Sequence, residues 1–123
     1  MKRIGIIGTG QIAQAHLRRW AEIDEVEVAV ACDVDAESLA RTCAEYEVPD
    51  ATGDFRELLK REDLDAVDVC LHNNLHAPVT IEALRAGKHV YCEKPIAGSY
   101  ADGKAMLDAA RETGKMLHIQ LGR

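Results

Sequence analysis

The chain has 123 residues, of which 47% are hydrophobic and 29% are charged, with a formal net charge of −6. This length predicts one globular domain with its own core. The acidic balance, without any basic run, argues against a nucleic-acid partner. No apolar stretch approaches the roughly 20 residues that cross a bilayer, and the apolar run before Gly8 is too short for a signal peptide. We therefore expect no nucleic-acid partner and no membrane segment.

Strand-like apolar runs alternate with helical periodicity, which predicts an α/β doubly wound Rossmann fold with a six-stranded parallel sheet between two helical layers. The predicted strands are Lys2–Gly8, Glu25–Cys32, a short strand within Val48–Ala51, Ala66–Leu71, Lys88–Cys92 and Lys115–Ile119. The predicted helices are Gln11–Glu22, a helix after the N-cap Asp35, Asp54–Lys60, Ala77–Ala86 and Ser99–Thr113.

Single residues refine these elements. Pro78 suits the first turn of its helix, and Gly87 suits the position after the last turn. The glycine turn after the first strand favours the strand order 3-2-1-4-5-6. This order places the strand of Pro49 at the sheet edge, where a missing N–H group does no harm. The packing side of the first helix is only loosely marked, by Ile12, Ala15, Leu17 and Trp20.

The four cysteines are Cys32, Cys43, Cys70 and Cys92, and they show no C-x-x-C spacing. Three of them end apolar runs. We therefore interpret them as small buried side chains and predict neither disulfides nor a metal site. Free cysteines are typical of a reducing compartment, which predicts the cytoplasm.

The first predicted strand leads into Gly8-Thr9-Gly10-Gln11-Ile12-Ala13, a G-x-G-x-x-A turn that opens a helix. Gly8 permits a bend that a side chain would block, Gly10 lets the backbone approach phosphates, and Ala13 lets the helix pack near the strand. The free N–H groups of the first helical turn then face an anion. A tight strand-to-helix turn without a ligand would have the same pattern.

Asp33 closes the second strand, close to the distance from Gly10 at which an acidic residue binds an adenosine ribose. A carboxylate there accepts hydrogen bonds from ribose hydroxyls and repels a 2′-phosphate. The neighbouring Val34 and Asp35 offer that phosphate no cation. The sequence thus favours NAD, with NADP as the alternative. Asp33 could instead cap the next helix, as Asp35 also could.

Polar residues follow the fourth and fifth strands, in Leu71-His72-Asn73-Asn74-Leu75-His76 and in Cys92-Glu93-Lys94-Pro95. Each asparagine or histidine could be a turn former or a cap, and Glu93 and Lys94 could form a surface ion pair. Their shared position at the carboxyl edge of the sheet favours a polar ligand. Lys94 near a positively charged nicotinamide ring could exchange protons at neutral pH.

The glycine turn, the two polar stretches after the fourth and fifth strands and one further stretch carry a family resemblance. The further stretch is Ala83-Leu84-Arg85-Ala86-Gly87-Lys88-His89-Val90. Together they resemble the N-terminal domain of the Gfo/Idh/MocA family of NAD(P)-dependent oxidoreductases. The resemblance covers essentially the whole chain. It implies that the pyrophosphate and the adenosine ribose are held by the residues already named, which are Gly8, Thr9, Gly10, Gln11, Ile12 and Asp33.

At the nicotinamide end, the resemblance implies that Asn73 and His76 lie by the ribose, that Glu93 contacts the cofactor and that Lys94 orients substrate and assists proton transfer. Leu71 and His72 replace a small pair that is common in the family, so His72 could face the nicotinamide or point away. Leu71, His72 and Lys94 are all included among the cofactor-binding candidates.

The resemblance also implies hydride transfer between the nicotinamide and a hydroxyl-bearing carbon, often of a sugar or polyol. Family members continue into a second α/β domain that contacts the small-molecule substrate. We therefore expect residues 1–123 to be a truncated cofactor domain that is inactive alone and can form a homo-oligomer through an exposed face. The alternative is a self-standing or engineered nucleotide-binding module, which would have no need of the Glu93-Lys94-Pro95 segment.

Overall fold

A computed structural model describes residues 2–71, 73–93 and 100–120, without the side chains of residues 73, 74, 76, 93, 100–102, 119 and 120. The strands in this part are β1 (Lys2–Ile7), β2 (Val26–Cys32), β3 (Asp50–Thr52), β4 (Ala66–Val69), β5 (His89–Glu93) and β6 (Leu117–Gln120). The helices are α1 (Gln11–Ala21), α2 (Ala36–Tyr46), α3 (Phe55–Leu59), α4 (Asn73–Arg85) and α5 (Tyr100–Thr113).

The strands form one parallel sheet in the order β3-β2-β1-β4-β5-β6, which confirms the predicted topology. Pro49 lies directly before the edge strand β3, where its missing N–H group leaves no hydrogen bond of the sheet unmade. All carboxyl ends of the strands therefore lie along one edge, and β1 and β4 are neighbours at the point where the strand order reverses.

The helices cover both faces of the sheet because successive strand residues point in opposite directions. Ile6 of β1 packs in the cluster that includes Ala13 and Leu17 of α1. Ile7 packs in the larger cluster on the other face, with residues from α3, α4 and α5. This arrangement places the start of α1 at the carboxyl edge, directly after β1.

The helix after β4 differs from the prediction, because α4 begins at Asn73 rather than Ala77. Pro78 therefore lies inside the helix and not in its first turn. Proline removes only one helical hydrogen bond, and buried Ala77 and Val79 anchor the segment to the core on either side of it. Gly87 ends this region with φ = +87°, as predicted.

The packing side of α1 also differs from the prediction, since Leu17 is buried as predicted but Ala15 and Trp20 are only half-buried. Ala13, His16 and Leu17 are its buried residues, whereas Ile12 is 45% exposed. The weak hydrophobic pattern of α1 arises because a histidine occupies part of its buried face.

Cys32, Cys70 and Cys92 are buried, as the sequence predicts, whereas Cys43 is only half-buried. Burial raises the pKa of the Cys32 thiol to about 11, and the negative charges of Asp33 and Asp54 add to this effect. At neutral pH this thiol is therefore protonated and packs as a small apolar group. Within the described ranges, no helix combines the length and the apolar character needed to cross a bilayer.

Candidate functional site

Gly8 connects three strands at the carboxyl edge of the sheet. Its N–H donates to the Cys32 carbonyl at 2.8 Å, and the Cys70 N–H donates to the Ile7 carbonyl at the same distance. Gly8 has φ = +101°, and a Cβ atom added there would lie 2.3 Å from the Cys70 carbonyl oxygen and 3.3 Å from Leu71 Cδ2. The fold itself therefore requires glycine at this position.

Gly10 contrasts with Gly8, because nothing in the surrounding structure requires it to be glycine. Its φ is −77°, and a Cβ atom added there would meet no heavy atom of the described residues within 4 Å. It is the N-cap of α1, and none of the described side chains caps this helix. Gln11 and Ile12, the first two residues of α1, are exposed. The start of α1 thus presents backbone N–H groups and a positive dipole end toward open space.

Asp33 lies against this turn and holds it. Its Oδ2 accepts hydrogen bonds from the Thr9 N–H at 2.8 Å and from the Thr9 hydroxyl at 2.6 Å. Its Oδ1 accepts from the Asp35 N–H at 2.9 Å. Asp33 is half-buried, and Thr9 is only 2% exposed. The sequence predicts that Asp33 faces a ligand, but it does not predict this direct bond to Thr9.

The Asp33 carboxylate is stabilised in its charged form. Burial alone would raise its pKa, but hydrogen bonds from the Asp35 N–H, from the Thr9 hydroxyl and N–H and from the Val34 N–H together hold the pKa below its usual range. Asp33 is therefore a permanent anion at neutral pH.

Two further polar side chains fasten the turn to the neighbouring helices. Ser38 Oγ lies 2.8 Å from Thr9 Oγ1, and Gln14 Nε2 donates to the Thr9 carbonyl at 3.0 Å and to Thr42 Oγ1 at 2.9 Å. The motif-based analysis missed Ser38 and Gln14. The only sequence signal for Ser38 is a small hydroxyl residue in the helical turn after Asp33, and serines are common there for capping alone.

The junction between β2 and α2 is acidic. Asp35 caps α2 by accepting from the Glu37 and Ser38 N–H groups, and Glu37 lies in the first helical turn. The first basic residue after Asp33 is Arg41. Asp33, Asp35 and Glu37 are therefore all acidic, and no lysine or arginine lies in the chain between Asp33 and Ala40.

Some predicted site residues are only partly described. The backbone places Asn73 and His76 in the first turn of α4 and Glu93 at the end of β5, so all three lie at the same sheet edge as Gly8. The side chains of these residues, and His72 and Lys94 as whole residues, lie outside the described part of the chain. Leu71 is described and its side chain lies beside Gly8.

A buried polar network lies below the glycine turn, between α1 and β4. His16 Nδ1 is 2.7 Å from Asp68 Oδ2, and the Trp20 indole N–H donates to the same oxygen at 2.9 Å. Cys70 Sγ lies 3.4 Å from Asp68 Oδ1. The ligand atoms of His16, Asp68 and Cys70 are within 4.8 Å of one another, which is close enough for a metal ion to bridge them.

We interpret this network as an anchor for α1, because hydrogen bonds already join its members and satisfy the fully buried Asp68 carboxylate. Sequence reasoning missed it. Asp68 in the apolar run Ala66–Leu71 and His16 in α1 are visible signals, but nothing in the sequence pairs the two residues.

Comparison with known proteins shows that this chain is similar in sequence to oxidoreductases. The chain is 38% identical over 112 residues to the 4-carboxy-2-hydroxymuconate-6-semialdehyde dehydrogenase of Sphingobium sp. strain SYK-6, which covers 91% of this chain and 36% of that protein. It is 34% identical over 122 residues to the inositol 2-dehydrogenase of Salmonella typhimurium, with 98% of this chain and 36% of that protein covered. The chain therefore spans about a third of the length of these relatives.

Among solved structures, the chain matches KijD10, a 3-ketoreductase of Actinomadura kijaniata solved in complex with NADP and TDP-benzene. The TM-score is 0.90 at 32% identity, over 96% of this chain and 36% of that one. Residues 2–121 match the Gfo/Idh/MocA family, which is described as an oxidoreductase family with an NAD-binding Rossmann fold. The chain therefore belongs to the Gfo/Idh/MocA oxidoreductase family and comprises its NAD-binding Rossmann domain.

Proposed function

We propose that the chain binds NAD(H) in preference to NADP(H) and serves as the cofactor domain of an oxidoreductase that acts on a hydroxyl-bearing carbon. The observation that carries this proposal is the open start of α1 beside Asp33. Gly10 leaves room where a side chain would point into the space in front of the helix. A dinucleotide pyrophosphate fits such a position, because helix N–H groups and the dipole both favour an anion.

The residues proposed to contact the pyrophosphate are Gly8, Thr9, Gly10, Gln11 and Ile12. Gly8 gives the turn its shape, and the N–H groups from Gly10 onward supply the hydrogen bonds. Thr9 is buried and bound to Asp33, so its contribution is to fix the turn. The exposed side chains of Gln11 and Ile12 flank the opening.

The preference for NAD rests on charge. Asp33 can accept a hydrogen bond from a ribose hydroxyl, whereas a 2′-phosphate would meet the charges of Asp33, Asp35 and Glu37. The Actinomadura relative holds NADP, so this preference depends on residues of the present chain and is not a property of all its relatives.

At the other end of the cofactor, we assign contacts with the nicotinamide and its ribose to Leu71, His72, Asn73, His76 and Glu93. Lys94 is the proposed catalytic residue, which would hold the substrate and exchange a proton with its hydroxyl oxygen. A bound nicotinamide supplies the hydride acceptor or donor. Replacement of Lys94 by alanine in the complete enzyme should lower turnover far more than NADH affinity, and unchanged turnover would remove this role.

The substrate is proposed to be a sugar, a polyol or a related metabolite, because the Salmonella relative is named for inositol. A second domain of the complete protein would contact the substrate, and residues 1–123 alone would bind cofactor without turnover.

Self-association through an exposed face stays a prediction. The exposed side chains of Tyr91 (36%) and Met116 (65%) support this prediction. Sedimentation over a range of protein concentrations tests the self-association.

Calorimetric titration of the chain with NADH and NADPH tests the proposal. We expect saturable binding of both, with the tighter binding for NADH, and a smaller difference for Asp33→Ala. Thr80→Val is a matched control, because Thr80 is fully buried in α4 and its hydroxyl has no hydrogen-bond partner within the described structure. Tighter binding of NADPH by the unmodified chain would contradict the cofactor preference.

A further inference from the structure

We infer that Ser38 and Thr9 form a hydroxyl relay that fixes which oxygen of Asp33 is offered to the cofactor, which makes both of them positioning residues for cofactor selection. This inference rests on the proposed binding of NAD(H) at Asp33. The relay joins three elements: the turn after β1, the end of β2 and the first turn of α2.

The direction of the relay follows from counting protons. The Asp33 carboxylate has no proton, so the Thr9 hydroxyl donates to Asp33 Oδ2 across their 2.6 Å contact. That hydroxyl has one hydrogen and can only accept from Ser38 Oγ, which lies 2.8 Å away. Ser38 therefore donates to Thr9. The same Ser38 proton is also within reach of the Thr9 carbonyl at 3.2 Å, so it is shared between two acceptors of Thr9, of which the hydroxyl is the nearer.

The relay occupies one side of the carboxylate. Each carboxylate oxygen has about two acceptor positions, and Oδ2 already accepts from the N–H and the hydroxyl of Thr9. Oδ1 accepts from the Asp35 N–H at 2.9 Å. The Val34 N–H is the weakest of the donors to the carboxylate, so Oδ1 keeps room for a stronger donor. Asp33 therefore offers Oδ1 to a ribose hydroxyl, while Oδ2 stays bound to Thr9.

The buried position of Thr9 makes this orientation stable. Thr9 is 2% exposed, so its hydroxyl cannot leave Asp33 for water without rearrangement of the turn. Loss of the hydroxyl would free Oδ2, let the carboxylate rotate and remove a charge-assisted hydrogen bond. The result would be weaker binding of NAD(H) and a weaker discrimination against NADP(H).

Four variants test the relay, namely Thr9→Val, Thr9→Ser, Ser38→Ala and Thr80→Val. Thr9→Val keeps the shape of the side chain without its hydroxyl, and Thr9→Ser keeps the hydroxyl. We expect NAD⁺ affinity to fall roughly tenfold or more for Thr9→Val and roughly threefold for Ser38→Ala. Thr9→Ser should stay close to the unmodified chain, and the control Thr80→Val should leave affinity unchanged.

The pH profile separates positioning from a merely structural role. Titration with NAD⁺ between about pH 3 and 7, a range that brackets ordinary carboxyl pKa values of about 4, should show affinity declining from a higher pH in Thr9→Val than in Thr9→Ser. The other titratable groups around Asp33 are Asp35 and Glu37 at the start of α2, Asp54 at the start of α3 and the Cys32 thiol. All four variants retain these groups.

A carboxyl NMR titration of Asp33 in the cofactor-free chain makes the outcome independent of the proposed function. A higher Asp33 pKa in Thr9→Val than in Thr9→Ser supports the relay even if NAD⁺ does not bind, and in that case only the proposed function fails. Equal pKa values and equal NAD⁺ affinities in these two variants would overturn the inference while NAD⁺ binding by the unmodified chain still stood.

Discussion

The helices α1 and α2 both begin at the carboxyl edge of the sheet, and their first turns are built in opposite ways. Each has 11 residues. The Asp35 side chain caps α2, and Glu37 lies in its first turn. The N-cap of α1 is Gly10, no described side chain caps it, and its first turn contains no acidic residue. The short helix α3 follows the pattern of α2, with Asp54 as its cap and Glu57 in its first turn.

This difference shows that the helices of the chain do not generally lack a side-chain cap, since α2 and α3 each begin with one. An aspartate or serine at an N-cap stabilises a helix by about 1 kcal/mol relative to alanine, and the chain gains such stabilisation at α2 and α3. At α1 the chain gains no such stabilisation, and we propose that the N–H groups there bind the cofactor pyrophosphate instead. The same contrast separates Gly8, which the fold requires, from Gly10, which it does not.

The largest expected effect is that of Gly8→Ala. The new methyl group would lie 2.3 Å from the Cys70 carbonyl oxygen at a φ of +101°. Overpacking and backbone strain together should lower the free energy of unfolding by about 3 kcal/mol or more. Urea unfolding measures this loss. Gly103→Ala in α5 is the matched control, because a methyl group there meets nothing within 4 Å, and it should leave stability unchanged or raise it.

Gly10→Ala should show the opposite profile. Because its methyl group would meet no protein atom within 4 Å, the free energy of unfolding should change by less than about 1 kcal/mol. NADH affinity should fall at least about tenfold, since the methyl group would point into the space proposed for the pyrophosphate. Unfolding and titration of the same sample measure both. Retained affinity would show that Gly10 does not face the ligand.

Gln11→Glu would give the first turn of α1 an acidic residue, like the first turn of α2. The new charge should stabilise the helix by about 0.3–1 kcal/mol. It should also weaken NADH binding roughly threefold to tenfold, because it would repel the pyrophosphate. Gln11→Ala is the uncharged control. An increase in NADH affinity would be incompatible with an anion at this position.

The smallest expected effect is on pH-dependent stability. The folded chain holds the Asp33 pKa below its ordinary value, so the stabilisation from its charged form is complete above pH 4 or so. It is lost as the pH falls through the folded pKa. Asp33→Asn should therefore reduce the slope of unfolding free energy against pH below about pH 4. Asp63, whose pKa is lowered to about 2 by Arg61, titrates in the same window and remains in both proteins. An unchanged slope would show that Asp33 does not titrate differently on folding.

Much of the fold could be predicted because it depends on local patterns. Pro49 indicates the edge strand, and Gly87 ends α4. The start of α4 could not be predicted from Pro78, because a proline costs one hydrogen bond and the burial of its neighbours offsets that cost. Ile12 was expected to pack and is exposed, because the position at the start of α1 faces outward whatever its hydrophobicity.

The backbone positions of the candidate site could be predicted from the sequence. The hydrogen bonds between its side chains could not. Gly8, Gly10 and Asp33 are recognisable from motif spacing. The bond from Thr9 to Asp33 and the relay from Ser38 depend on how α2 returns to the turn, which no local pattern encodes. The same holds for His16 and Asp68, which are 52 residues apart in the chain and 2.7 Å apart in the structure.

The most direct measurement is a titration of the ¹⁵N-labelled chain with NADH, followed through its backbone amide signals. The account predicts saturable shifts that are largest at Gly10, Gln11 and Ile12, with smaller ones at Asp33 and at the start of α4. Larger shifts around His16 and Trp20, which line a separate open cavity of about 260 Å³, would contradict it. An absence of shifts at the start of α1 under saturating NADH would contradict it equally.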